Sequence, residues 1–107
     1  MIHALPPAES LTVEFKSDRR KLSDTELAEA VVCLANADGG ELWLGVEDDG
    51  TATGLHADHR QLVGLPGLIA ARTSPAIAVQ VEAVEIDGVC VARIVVPKAA
   101  TVGAGSE

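Results

Sequence analysis

Acidic and basic side chains near the start of the chain have a spacing that suits phosphate chemistry. Polar and apolar residues alternate over residues 11–16, which contain Glu14 and Lys16. Because successive side chains of a strand point to opposite faces, this alternation predicts a strand with Glu14 and Lys16 on one face. In metal-dependent nucleases such an acid holds the cation and the lysine steadies a phosphate. The same pair is also typical of an exposed strand edge with an ordinary salt bridge.

A basic run overlaps the end of this strand. Four of the eight basic residues fall within six positions, at Lys16, Arg19, Arg20 and Lys21, and Asp18 interrupts them. The formal net charge of −8 argues against a freestanding, non-specific DNA-binding protein, since such proteins draw most of their affinity from phosphate contacts. The run still indicates a local phosphate-binding surface on an acidic chain, with a solvated loop as the alternative.

Composition limits the remaining possibilities. A chain of 107 residues predicts one domain, and one Phe, one Trp and no Tyr predict an aliphatic core with few platforms for stacking bases. Cys33 and Cys90 lack paired spacing, so we expect small buried side chains in a reducing compartment, and therefore a cytoplasmic protein. No apolar run approaches the length needed to span a membrane, so a membrane partner is not expected.

Capping and turn signals set the order of the elements. Ser23 and Glu26 form a capping-box pattern, which predicts a helix that ends at Gly39 and Gly40. Residues 41–47 form a short apolar run that predicts a buried strand.

The second half of the chain has its own turn signal. Residues 58–72 predict one or two short helices. Residues 76–86 and 89–96 flank Asp87 and Gly88, the dipeptide that most strongly indicates a hairpin, because both of its residues adopt positive φ.

This order predicts an α+β fold, with a small mixed β-sheet covered by two helices and a C-terminal β-hairpin. Parallel pairing of the first two strands would bring their carboxyl ends to one edge of the sheet and Asp48 within reach of Glu14. The exposed edge of residues 89–96 would allow the chain to pair with a second copy across a two-fold axis.

Four motifs, in this order and spacing, resemble the Schlafen AlbA-like domain family. They are Glu9-x4-Glu14-Phe15-Lys16, Ala35-Asn36-Ala37-Asp38-Gly39-Gly40, Leu44-Gly45-Val46-Glu47-Asp48 followed by Gly54, and Ile94-Val95-Val96-Pro97. The resemblance covers a core of residues 9–97, so residues 98–107 are interpreted as a flexible tail. It implies a DNA-binding domain at the front of a bacterial transcriptional regulator, with further domains in a longer chain. The partner would be DNA or RNA, held by the basic run from Lys16 to Lys21.

The resemblance also implies an enzymatic alternative, because some animal members are metal-dependent endoribonucleases that act on structured RNA. By position, the cation ligands are Glu9, Glu14 and Asp48, which would hold Mg²⁺ or Mn²⁺ while Lys16 assists at the phosphate. Five residues of straight strand span about 17 Å, so Glu9 reaches such a cation only if the chain bends. Otherwise Glu9 is a capping or turn residue. A homo-oligomerisation module without a nucleic-acid role is the third interpretation.

Overall fold

A mixed four-stranded sheet with two helices packed on one face dominates the structure, which confirms the predicted α+β class. The computed structural model describes residues 5–99 and 103–104. The elements, in chain order, are β1 Val13–Lys16, α1 Asp24–Asn36, β2 Gly40–Leu44, two 3₁₀ turns at Ala57–His59 and Leu62–Gly64, α2 Leu65–Ala71, β3 Thr73–Ser74, β4 Gln80–Ile86, β5 Val89–Val96 and β6 Gly103–Ala104.

The strand order of the main sheet is β1-β2-β5-β4. Strands β1 and β2 are parallel, with Lys16 opposite Leu44, so α1 is the crossover that the sequence predicts. Strand β5 pairs with β2 on one side and with β4 on the other. The prediction that residues 89–96 form an exposed edge is therefore wrong, because β5 pairs with β2 on the side that β4 does not use. Within the described residues, the outer strands of this sheet are β1 and β4.

Apolar side chains fill both faces of the sheet. The N-terminus of α1 is capped as predicted, since the Ser23 hydroxyl accepts from the Glu26 amide at 3.1 Å. Its apolar face packs with α2 on the face of the sheet that includes Leu42. A smaller cluster lies on the opposite face around Phe15 and Trp43, which are each 1% exposed. Both of these large aromatic side chains are therefore buried inside the fold.

The chain enters β1 through a tight turn, which the alternating pattern did not reveal. The amide of Ser10 donates to the carbonyl of Val13 at 2.9 Å, and Leu11 is 84% exposed at the tip of the turn. Leu11 therefore does not share the buried face of Val13 and Phe15. The turn folds Glu9 back beside β1, where its Oε1 accepts from the Phe15 amide at 3.2 Å. Glu9 thus bonds to the strand at the edge that β2 does not use.

Glycines set two further boundaries. The predicted helix ends at Asn36, earlier than expected, and the Gly39 amide then donates back to the Leu34 carbonyl at 2.8 Å with φ of 76° at Gly39. The predicted strand over residues 41–47 ends at Leu44, because Gly45 turns the chain with φ of 100°.

The hairpin is confirmed, with φ of 51° at Asp87 and 80° at Gly88. Part of the predicted flexible tail is ordered, because Gly103–Ala104 pairs with Thr73–Ser74; residues 100–102 and 105–107 lie outside the described residues.

Two compositional expectations have different outcomes. Cys33 and Cys90 are free thiols, but both are exposed, so the prediction that they are buried is wrong. Among the described helices, none has the length and apolar character needed to cross a membrane.

Candidate nucleic-acid interface

Glu14 and Lys16 line a groove of about 420 Å³ between β1 and α1. Lys16 Nζ lies 3.6 Å from Glu14 Oε2, and each side chain is 36% exposed. This is the ordinary salt bridge that the sequence offered as an alternative. Glu26 and Glu29 of α1 line the same groove. The groove is therefore acidic, and Lys16 is neutralised within it.

The three predicted metal ligands occupy separate surroundings. Glu9 bonds to the β1 backbone, and Asp48 lies in an exposed turn closed by the Gly50 amide donating to the Glu47 carbonyl at 2.8 Å. Among residues 5–99 and 103–104, no three Asp, Glu, His or Cys side chains are grouped so that they could hold a metal ion. Glu9, Glu14 and Asp48 are thus not gathered into such a group within the described residues.

The ends of β1 and β2 do lie side by side, as parallel pairing requires. The Gly45 amide donates to the Lys16 carbonyl at 2.8 Å. Just beyond, Glu47 accepts from the Thr53 hydroxyl at 2.5 Å. This bond, then a hydrogen bond with Ser17 and the nearby positive charge of Arg19, lower the pKa of Glu47. The acidic residue that meets the end of β1 is therefore Glu47, whereas the prediction named Asp48.

A buried carboxylate joins two loops at this end of the sheet. Asp18 is 0% exposed, and its Oδ1 accepts from the Leu22 amide at 2.8 Å. Its Oδ2 accepts from the His56 amide at 2.8 Å, and Nδ1 of His59 lies 2.8 Å from the same oxygen. The loop after β1 is thereby fixed to the 3₁₀ turn at Ala57–His59. Sequence reasoning missed this junction, and its only signal is a single acid within a basic run.

Three cations project from the loop that Asp18 closes. Arg19, Arg20 and Lys21, which we call the basic arch, are all exposed. The residues at its two ends, Asp18 and Leu22, are buried and hydrogen-bonded to each other. The arch is consequently a short exposed segment whose two ends are anchored.

Ion pairing divides the basic residues into two groups. Four of them have a carboxylate oxygen within 4.0 Å, namely Lys16 with Glu14, Arg72 with Asp24, Arg93 with Glu41 and Glu82, and Lys98 with Asp38. The other four have no such partner among the described residues, namely Arg19, Arg20, Lys21 and Arg60. All four unpaired cations lie on the two loops that Asp18 joins.

Comparison with known proteins agrees with this fold. Residues 9–103 match the family described as Schlafen, AlbA_2. The chain belongs to the Schlafen AlbA_2 family. The resemblance inferred from the sequence motifs is thereby confirmed.

Two solved structures are similar to this Schlafen AlbA_2 chain. The DIP2311 protein from Corynebacterium diphtheriae is 28% identical with a TM-score of 0.68, over 88% of this chain and 19% of that one. The N-terminal domain of a RecG-related protein from Nitrosomonas europaea is 26% identical with a TM-score of 0.65, over 85% of this chain and 65% of that one. The chain thus spans less than two thirds of either structure. No curated protein matches it at a significant level.

Proposed function

We propose that this Schlafen AlbA_2 chain binds nucleic acid through the basic arch, as the DNA-binding part of a bacterial transcriptional regulator. The observation that supports this most is that Arg19, Arg20 and Lys21 are exposed and have no carboxylate oxygen within 4.0 Å among the described residues, on a chain with a net charge of −8. A cation without a carboxylate partner is available to a phosphate, and its binding releases counterions from the nucleic acid. Lys16 is left out of this surface because Glu14 neutralises it.

The comparisons support a nucleic-acid partner. The Nitrosomonas domain comes from a protein whose name relates it to RecG, an ATP-dependent DNA helicase. The Corynebacterium chain is several times longer than the segment matched here, in keeping with a module that works beside further domains. Such a module would act in the cytoplasm, where bacterial DNA and RNA are found.

The buried aromatic residues favour recognition of the backbone over recognition of bases. Proteins that hold single strands stack bases on exposed aromatic rings. Phe15 and Trp43 are each 1% exposed, and the sequence has no Tyr. We therefore expect contacts with phosphates, no stacking of bases on aromatic rings, and an affinity in the range of about 10⁻⁴ to 10⁻⁶ M for DNA of arbitrary sequence.

Charge reversal at the arch tests this proposal. In the double variant Arg19→Glu, Arg20→Glu, we expect much weaker binding to a labelled DNA duplex and a flatter dependence of affinity on salt, because two phosphate contacts become repulsions. Fluorescence anisotropy across a salt series measures both quantities.

The matched control is Arg72→Glu with Lys98→Glu, which changes the net charge equally at cations that already pair with Asp24 and Asp38. We expect this control to keep most of the affinity. Equal losses in the two double variants would mean that only net charge matters, and the arch would not be the interface.

A divalent-metal-dependent ribonuclease is the second candidate. The observation in its favour is the turn that folds Glu9 back beside β1, which removes the span that separates Glu9 from Glu14 in a straight strand. The first proposal, in which the chain only binds nucleic acid, predicts no cleavage of structured RNA with Mn²⁺ or Mg²⁺, because the three acids are not gathered in the described residues. Metal-dependent cleavage that disappears in Glu14→Ala would instead establish the enzyme.

A further inference from the structure

The turn that carries Arg60 is fixed against the loop of the basic arch. Asp18 accepts from the backbone amide of His56 and is within hydrogen-bonding distance of the ring of His59, so it holds both ends of the Ala57–His59 turn. Arg60 follows His59 directly and is exposed. Arg60, the remaining arginine with no carboxylate oxygen within 4.0 Å among the described residues, therefore belongs to the segment that Asp18 places beside the arch.

Burial makes this placement well defined. His59 is 4% exposed and Asp18 is 0% exposed. Separating the two side chains would therefore leave buried hydrogen-bonding groups without partners. The arch is anchored from the other side, because Leu22 is 8% exposed and donates its amide to Asp18. One carboxylate thus fixes two exposed segments that are distant in the sequence.

We propose that Arg60 is a fourth phosphate-binding residue of this surface, and that Asp18 is the positioning residue that holds it beside the basic arch. This inference rests on the proposed function and extends the interface to a second loop. A duplex presents phosphates at regular intervals on both strands, so two cationic segments held at a fixed separation can contact neighbouring phosphates without reading bases.

Neighbouring charges limit how far this surface extends. Asp58 is exposed two residues before Arg60, and its Oδ2 lies 3.9 Å from Nδ1 of His56. On the other side, Glu47 lies close enough to Arg19 for the two charges to interact. Both carboxylates would repel a phosphate bound close to them, so contacts are expected at the cations and not at Asp58 or Glu47.

The salt dependence of duplex binding tests the role of Arg60. Each phosphate contact contributes about −0.9 to the slope of log K against log salt concentration, so Arg60→Ala is expected to make the slope less negative by about 0.9. Arg72→Ala is the control, because Arg72 is also a partly exposed arginine but pairs with Asp24 at 3.6 Å. We expect its slope to match that of the unaltered protein.

The outcomes separate this inference from the proposed function. If the unaltered protein binds and reversal of Arg19 and Arg20 flattens the slope while Arg60→Ala does not, Arg60 is not a contact and the arch alone is the interface. If the unaltered protein does not bind the duplex at low salt, the proposed function fails and this inference fails with it.

A double-mutant comparison tests the positioning role of Asp18. In an Asp18→Asn background, Arg60→Ala should no longer change the slope, because the turn is no longer fixed beside the arch. An equal effect of Arg60→Ala in both backgrounds would refute positioning by Asp18. If circular dichroism shows that Asp18→Asn is unfolded, His59→Leu takes its place, since that change removes one of the two contacts between Asp18 and the turn and leaves both backbone hydrogen bonds to Asp18. In that background Arg60→Ala should change the slope by less than it does in the unaltered protein.

Discussion

A Gly40→Ala variant is expected to lose more than about 4 kcal/mol of folding stability, a large share of the total for a typical domain. Gly40 begins β2 with φ of 148°, a conformation that residues with a side chain rarely adopt. A Cβ atom placed on it would lie 2.1 Å from the carbonyl oxygen of Thr12. That oxygen is not free to move, because it accepts from the Glu41 amide at 2.8 Å where the parallel pairing begins.

Gly67→Ala is the matched control for this change. Gly67 lies inside α2, and nothing lies within 4 Å of the position its Cβ would take. Alanine there should stabilise the protein by about 0.4 to 1 kcal/mol, since it restricts the unfolded chain and suits a helix. Urea unfolding of both variants measures the difference. A Gly40→Ala protein as stable as the unaltered one would show that β1 and β2 are not paired as described.

Of the substitutions proposed, Asp18→Ala is expected to cause the second largest loss of folding stability. Asp18→Ala removes the acceptor for the backbone amides of Leu22 and His56 and the partner of the His59 ring, all at a buried junction. Removing one partner from a buried, hydrogen-bonded charged group costs about 3 to 5 kcal/mol. Thermal or urea unfolding reports this cost directly.

Asp38→Ala provides the comparison. Its carboxylate is 72% exposed and lies 3.7 Å from Lys98 Nζ, so its loss should cost less than about 1 kcal/mol. If the two aspartate variants were equally stable, the junction would not hold the loops, and the placement of Arg60 beside the basic arch would lose its physical basis.

The parts of the fold that local chemistry determines could be predicted from the sequence. The Ser23 cap and the Asp87-Gly88 turn act over a few residues, and both appear in the structure as predicted. The predicted start of β1 at residue 11 is wrong, because the strand begins at Val13 and a turn precedes it. Leu11 continues the alternating pattern, but the bond from Ser10 to Val13 turns the chain there, and alternation contains no information about that bond.

At the candidate site, long-range contacts limit how much can be predicted from the sequence. The basic run is visible in the sequence, whereas which cations pair with carboxylates depends on how the chain folds. Asp18 and His59 are 41 residues apart and share no motif spacing, so the junction between them could not be anticipated. Likewise, the exposed edge assigned to residues 89–96 is occupied by β2, which no pattern within the hairpin indicates.

Chemical-shift mapping by NMR tests the central claim most directly. An unlabelled DNA duplex is titrated into the ¹⁵N-labelled protein at low salt, and the amide shifts are followed residue by residue. If the claim is correct, the largest changes cluster in residues 18–22 and 56–61 and disappear as salt is added. Changes centred on the acidic groove between β1 and α1, around Glu14 and Glu29, or no changes at all, would contradict it.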